Sequence, residues 1–299
     1  MEQIPKSITS GRKGKYLVFT SAGDNNNVSE WLIGPREFDI WACYYGDTVF
    51  NCAEHVEFHV SKKGGKFPNL QYIYQHYQKQ LEKYEAVFVL DDDIIISATD
   101  INRLFEIREQ HDLWLLQPAF NPRGKISHPI TERIPFCFMR YTNFIENGCA
   151  LFRKDKLDDF MDVFDSTLVG YGTDYWFIDS LGPDIVGKVA IIDEVTCINP
   201  YDHTKDGGKR EIELLQENAM RARNWEIIKE KHNIQVQSHI EFSLIPSLLK
   251  ANVVSKGVMI WLIKFNHKSI RLIRFYRQWL IRNYYKYGGA VKRLIYYRS

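Results

Sequence analysis

Three adjacent carboxylates, Asp91-Asp92-Asp93, stand directly after the apolar run Ala86–Leu90. Like charges this close repel one another, so an ordered cluster needs a cation or fixed hydrogen-bond donors. The run before them has the unbroken hydrophobicity of a strand buried on both faces of a parallel sheet. In open α/β sheets, ligands bind beyond the carboxyl ends of the strands. Hard divalent ions accept carboxylate oxygens and keep positions for phosphate oxygens. This placement therefore favours a metal–diphosphate site, the competing reading being a solvated acidic turn that caps the next helix. Lys66 follows Gly64-Gly65 and precedes a helical stretch, where it either reaches a phosphate or stays a solvated loop lysine. His128 and Arg140 lie in a segment rich in Pro, Arg and aromatics. Polar side chains there either line an acceptor pocket or satisfy loop carbonyls.

The elements that must position these residues alternate. Short apolar runs predict strands over residues 16–21, 38–45, 56–60, 86–90, 113–117, 149–152 and 189–192. Helical spacing predicts helices over 69–84, 100–110 (capped by Thr99 or Asp100), 156–164, 175–181 and 211–231. Residues 121–144 read as an irregular excursion over the sheet edge, and 199–210 as a polar loop beside a site. Strands alternating with helices give an α/β fold around a largely parallel sheet.

These strings together resemble a nucleotide-sugar glycosyltransferase of the GT-A fold, in which a D-x-D motif after a central strand holds Mn2+ or Mg2+ against the sugar-nucleotide diphosphate. The resemblance is closer still to a bacterial and plant family known only as a domain of unknown function. It is carried by Leu90-Asp91-Asp92-Asp93-Ile94, Ile101-Asn102-Arg103-Leu104-Phe105, Leu115-Leu116-Gln117-Pro118-Ala119, Ser127-His128-Pro129-Ile130-Thr131, Arg140-Tyr141-Thr142-Asn143-Phe144, Gly170-Tyr171-Gly172-Thr173-Asp174-Tyr175 and His203-Thr204, over residues 16–208. The chain departs from that pattern with Tyr171 in place of Trp, with Asn147-Gly148 after Phe144, and without an Arg-Pro pair after Thr204.

The resemblance implies a GT-A-like, Rossmann-like mixed and mostly parallel sheet with helices on both faces. It also implies roles. Asp91 faces the ribose or the metal, Asp93 binds the metal, and His203 completes the ligand set. Asp92 and Lys66 lie at the donor, and Ser21 and Asp24 meet the nucleotide base and ribose. Asp174 acts at the acceptor as general base or holds a sugar, while also suiting a helix N-cap. His128 and Arg140 are the acceptor-pocket candidates.

The composition frames these expectations. The 299 residues carry a net charge of +2, but residues 1–239 hold 27 basic and 36 acidic side chains, and residues 240–299 hold 12 basic and one acidic, Glu241. The expected organisation is a catalytic domain over 1–239 and a basic, aromatic, helical tail over 240–299. Leu272, Phe275, Tyr276, Trp279 and Leu280 fall on one helical face, and Arg271, Arg274, Arg277 and Arg282 lie around the other. Such a helix suits an anionic membrane surface, with packing on the acidic body or an oligomer contact as alternatives. Nucleic acid is disfavoured because the rest of the chain is acidic.

Five scattered cysteines without a C-x-x-C pair predict neither a disulfide framework nor structural zinc. The first hydrophobic segment is too short for a signal-peptide core, and the longest apolar run, 257–263, is far below the ~20 residues of a spanning helix. The expectation is a cytoplasmic protein, peripheral at the inner face of a membrane. The function expected is transfer of a sugar from a nucleotide-sugar donor to a glycan or lipid-linked acceptor in surface polysaccharide synthesis. The alternatives are a sugar-phosphate nucleotidyltransferase, which would want a basic Gly-rich loop where Asp24-Asn25-Asn26-Asn27 stand, and a non-catalytic glycan or membrane adaptor.

Overall fold

The apolar runs become the central strands of a nine-stranded mixed sheet. The structure is a computed structural model that describes residues 14–201 and 211–247. Its strands are β1 (Tyr16–Ala22), β2 (Asp39–Tyr44), β3 (Phe58–Ser61), β4 (Ala86–Leu90), β5 (Leu115–Phe120), β6 (Cys137–Thr142), β7 (Cys149–Arg153), β8 (Val189–Cys197) and β9 (Glu241–Pro246), in the spatial order β3-β2-β1-β4-β7-β5-β8-β6-β9. The pairs β2–β3, β1–β2, β1–β4 and β5–β8 are parallel, whereas β7 runs antiparallel to both β4 and β5, and β6 antiparallel to β8.

The helices are α1 (Lys66–His76), α2 (Gln78–Leu81), α3 (Ala98–Gln110), α4 (Lys154–Val163), α5 (Thr173–Ser180), α6 (Glu211–Leu215) and α7 (Asn218–Lys231). Alternation along the strands divides the core. Val18 and Phe88 join the cluster that holds Ile101, Leu104 and Phe105 of α3. Leu17 and Phe19 join the one that holds Phe67 and Leu70 of α1, Phe160 of α4, Trp176 and Phe177 of α5 and Trp225 of α7. Helices thus cover both faces of the sheet. Burying each such large side chain contributes roughly 1.5–3 kcal/mol.

The structure departs from the expected elements in specific places. The helix expected over 69–84 breaks at Tyr77, whose φ of −133° is not helical and whose ring meets the edge of Trp41. The one expected over 211–231 divides into α6 and α7. Ser97, rather than Thr99 or Asp100, caps α3 by accepting the N–H of Asp100 at 3.1 Å. The excursion over 121–144 contains β6. Residues 241–246, counted with the basic tail by charge, form β9 at the sheet's edge.

Among the described residues, chain contacts assign 14–133 and 138–245 to one unit and 134–137 with 246–247 to a second, in which the N–H of Ser247 donates to the carbonyl of Phe136 at 2.9 Å. The expected tail helix over 271–282 lies outside the described residues. All five cysteines are buried free thiols, and among the described residues no helix is long and apolar enough to cross a membrane.

Candidate functional site

Because β7 is antiparallel to its two neighbours, its amino end lies beside the carboxyl ends of β4 and β5; Leu90 pairs with Cys149. One edge of the sheet therefore gathers the segments after β1, β4 and β5 and the residues that lead into β7. Asp91 stands at its centre. The N–H of Asp91 donates to the carbonyl of Gly148 at 2.8 Å, and its Oδ1 lies 2.6 Å from Nζ of Lys66. Lys66 opens α1, and its ammonium also donates to the carbonyl of Asn147 at 2.6 Å. The lysine flagged in the sequence is thus drawn onto the first carboxylate of the triplet.

The rest of the triplet is held by donors from the loop after β1. Asp92 Oδ2 accepts the N–H of Gly23 at 2.8 Å, and its carbonyl accepts the N–H of Asn27 at 2.6 Å. Asn27 also donates through Nδ2 to the carbonyl of Asp93 at 2.6 Å. The asparagine-rich turn is therefore a clamp on the acidic segment. Ser21 Oγ accepts from Asn69 Nδ2 at 2.9 Å, which ties the end of β1 to α1. Asp24 is engaged on both oxygens, by the hydroxyls of Tyr44 and Thr48 and by the N–H groups of Asp47 and Thr48 at 3.1 Å. The Thr48 and Tyr44 hydroxyls, with the Asp47 N–H, hold its carboxyl well below the usual carboxylate range. Ser21 is thus buried against α1, whereas Asp24 is exposed with both carboxylate oxygens hydrogen-bonded within its own loop cluster.

A second acidic group comes from the turn before α5. Gly170 and Gly172 take φ of +76° and +78°, and a Cβ on Gly172 would lie 2.2 Å from the Trp225 ring, so only glycine fits there. Asn147 holds this turn by donating Nδ2 to the carbonyl of Gly170 at 2.8 Å. Asp174 follows in the first turn of α5 and is buried. Burial pushes its carboxyl up to about 6, while the N–H groups of Asp174 and Tyr175 pull it back.

Glu146, in the lead-in to β7, was not singled out by sequence reasoning. Its N–H donates to Gln117 Oε1 at 2.6 Å, and its buried Oε2 has no hydrogen-bond partner. Burial pushes this carboxyl up to about 7, and the nearby charges of Asp174 and Asp91 add to the push. The available signal was a lone Glu in Phe144-Ile145-Glu146-Asn147-Gly148, immediately ahead of an apolar strand. Glu146, within electrostatic reach of both Asp174 and Asp91, and Asp174 are carboxyls raised toward neutrality that can accept and return a proton.

The remaining candidates separate. His128 packs its ring on Phe144 at 4.7 Å and on His239 at 5.4 Å, and burial holds its imidazole below the usual histidine range. Arg140 is a correction to the acceptor-pocket expectation: it is fully buried, its guanidinium lies 2.7 Å from Asp193, and it donates to the carbonyls of Ile130 and Glu132 at 2.8 and 2.9 Å. It fastens the excursion onto β8 and offers no surface to a ligand. His203 lies outside the described residues.

Among the described residues, no group of three or more His, Cys, Asp or Glu converges as a ready-made metal cage. The donor chemistry of Asp91 and Asp93 instead suits a hard dication that takes one or two carboxylates and draws its other ligands from a diphosphate and water.

No protein-family model matches the sequence, and no curated protein does. The family of unknown function suggested by the sequence strings thus gains no support from the family models. Among solved structures, the chain is similar to S. aureus TarS 1–349, at 11% identity over 61% of this chain and 59% of that one, with a TM-score of 0.44. It is similar to S. aureus TarS at 14% identity over 73% and 43%, with a TM-score of 0.47. It is also similar to TarS 1–349 in complex with UDP at 15% identity over 73% and 70%, with a TM-score of 0.41. The chain spans 59% of the first of these. Likeness at this level carries no functional argument, and the α/β class rests on the sheet itself, with its mixed strands and helices on both faces.

Proposed function

We propose that the protein is a metal-dependent glycosyltransferase of GT-A type, moving a sugar from a nucleotide-sugar donor to a glycan or lipid-linked acceptor in surface polysaccharide synthesis. The observation that carries this reading is the acidic triplet at the carboxyl end of β4, clamped by Asn27 and Gly23 and flanked by Lys66, with Glu146 within electrostatic reach of both Asp91 and Asp174. Asp91 and Asp93, with His203 added by the sequence resemblance, would hold Mn2+ or Mg2+, which supplies neutralisation of the leaving diphosphate. Lys66 faces the phosphates as a second positive charge. Asp174 takes the proton of the acceptor hydroxyl as its oxygen bonds to the anomeric carbon and the bond to the diphosphate breaks.

The basic stretch over residues 240–299 fits a peripheral attachment to an anionic membrane, where a lipid-linked acceptor would be presented, with the body of the protein in the cytoplasm. Flotation of the full chain with anionic vesicles but not zwitterionic ones is the expected result; equal behaviour removes the membrane claim. The transferase reading itself is tested by a thermal-shift screen of UDP-, GDP-, CMP- and ADP-sugars with and without Mn2+. Stabilisation by at least one of them, dependent on Mn2+, is expected, and no metal-dependent shift with any would sink it.

A further inference from the structure

The segments that carry the acidic pair also build a cavity of about 260 Å3, lined by Phe144, Tyr175, His239, Asp179 and the side chains of Gln235 and Gln237 among others. We propose that this cavity is a saccharide subsite that seats one neutral pyranose ring of the acceptor, on the segment that carries Asp174. The proposal rests on the transferase reading for the word acceptor, but the binding chemistry stands by itself.

The wall is aromatic. The His239 ring lies on the Phe144 ring at 3.9 Å and 29°, and the Tyr175 ring is nearly parallel to it at 25°, with the Tyr175 hydroxyl 3.4 Å from Nε2 of His239. Phe144 is buried beneath His239, so the half-buried His239 and Tyr175 rings are the ones offered to the C–H face of a sugar. The rest of the lining mixes Ile178, Pro183 and Ile185 with polar groups that are not cationic: the Gln237 amide and the Asp179 carboxylate can meet hydroxyl groups, Gln235 Nε2 already donates to Asn233, and none of the described lining residues is Lys or Arg. A carboxylate without a basic partner repels phosphate, which sets this pocket apart from the Lys66 region and selects a neutral hydroxylated ligand. At about 260 Å3 it falls below the ~300–1,000 Å3 of pockets for drug-sized ligands, which leaves room for a single ring.

The rim is fixed in advance. Asn143 donates Nδ2 to the carbonyl of Ser238 at 2.9 Å and accepts the N–H of Ile240 at 2.6 Å, while Asp179 Oδ1 accepts the N–H of Gln235 at 3.1 Å. Both ends of the strap that bears His239 and Gln237 are therefore tied to the body, so little ordering is needed when a ligand enters. Continuity with the acidic site is covalent: Tyr175 follows Asp174, and Phe144 precedes Glu146 by two residues.

The test is saturation-transfer NMR on the full chain, without nucleotide or metal, using the methyl pyranosides of glucose, galactose and N-acetylglucosamine, with glucose 1-phosphate as the anionic probe. Transfer to the ring protons of at least one neutral pyranoside is expected, with none to glucose 1-phosphate. Gln237→Trp, a change at an exposed position that fills the cavity without touching the core, should abolish it, whereas Asp93→Ala should leave it intact. Absence of transfer to every neutral pyranoside, or transfer unchanged in Gln237→Trp, overturns the subsite. Pyranoside binding that persists where no nucleotide-sugar binds with Mn2+ would leave the subsite standing and remove the transferase reading, so the two fail separately.

Discussion

Two ion pairs mark two different regions of this sheet. Arg140 and Asp193 are both 0% exposed and 2.7 Å apart, and the same guanidinium also donates to the carbonyls of Ile130 and Glu132 and lies 3.5 Å from the Glu241 carboxylate of β9. Lys66 and Asp91 are equally close at 2.6 Å, but the Asp91 side chain is 44% exposed while the lysine is 10% exposed. The interior pair is buried, and with Glu241 of β9 beside the same guanidinium it ties the loop before β6 to β8. The pair after β4 presents a carboxylate to solvent, backed by a cation and within electrostatic reach of Glu146, whose carboxyl burial pushes up. Burial without an opening makes structure; burial with an opening makes a site.

The largest effect that separates the regions is on stability. Arg140→Ala removes the guanidinium that faces Asp193 in the core and should cost about 3–5 kcal/mol, read by denaturant unfolding. A loss under about 1 kcal/mol would show that the interior pair is not buried as described. Asp174→Asn should instead leave the fold intact and lower kcat by roughly 10^2–10^4-fold. In the wild type, activity should rise as pH passes about 6, because Asp174 must be ionised to accept a proton. Rates unchanged in Asp174→Asn would move the base elsewhere, with Glu146 the next residue to replace.

Glu146→Gln sharpens the comparison through pH. The folded-state value is raised, so charging Glu146 opposes folding. Below about pH 4.5 it is protonated in both states and has no effect; the penalty grows above that and is complete beyond about 7. The variant should be more stable than the wild type by on the order of 1–3 kcal/mol at pH 8 and indistinguishable near pH 4, as thermal melts would show. The smallest stability effect belongs to Lys66→Met, about 1 kcal/mol or less, because its partner is partly solvated. The same change should weaken nucleotide-sugar binding about tenfold or more if Lys66 faces the phosphates. Equal affinity would make the pair after β4 as purely structural as the interior one.

What the sequence disclosed follows the same division. β4 and its triplet were legible because an unbroken apolar run and a cluster of like charges are local signals. β6 was hidden in the excursion because Arg140 interrupts its hydrophobic pattern, and only Asp193, more than fifty positions away, makes that arginine a core residue. β9 was grouped with the tail because charge, not pairing, drew the boundary. Glu146 was invisible for a related reason. Its chemistry is created by Gln117, Asp174 and Asp91, which antiparallel β7 brings together, and no spacing along the chain announces that. The asparagines after β1 read as a plain turn, yet Asn27 orders the triplet's backbone.

On the proposed function, the carboxylates after β4 bind a nucleotide-sugar through a divalent cation. A calorimetric titration of the full chain with the nucleotide-sugar that stabilises it most, with and without Mn2+, in wild type and Asp93→Ala, tests it most directly. The expected result is binding by the wild type with Mn2+ only and none by Asp93→Ala. Binding that is independent of Mn2+, or the same in Asp93→Ala as in the wild type, would contradict it.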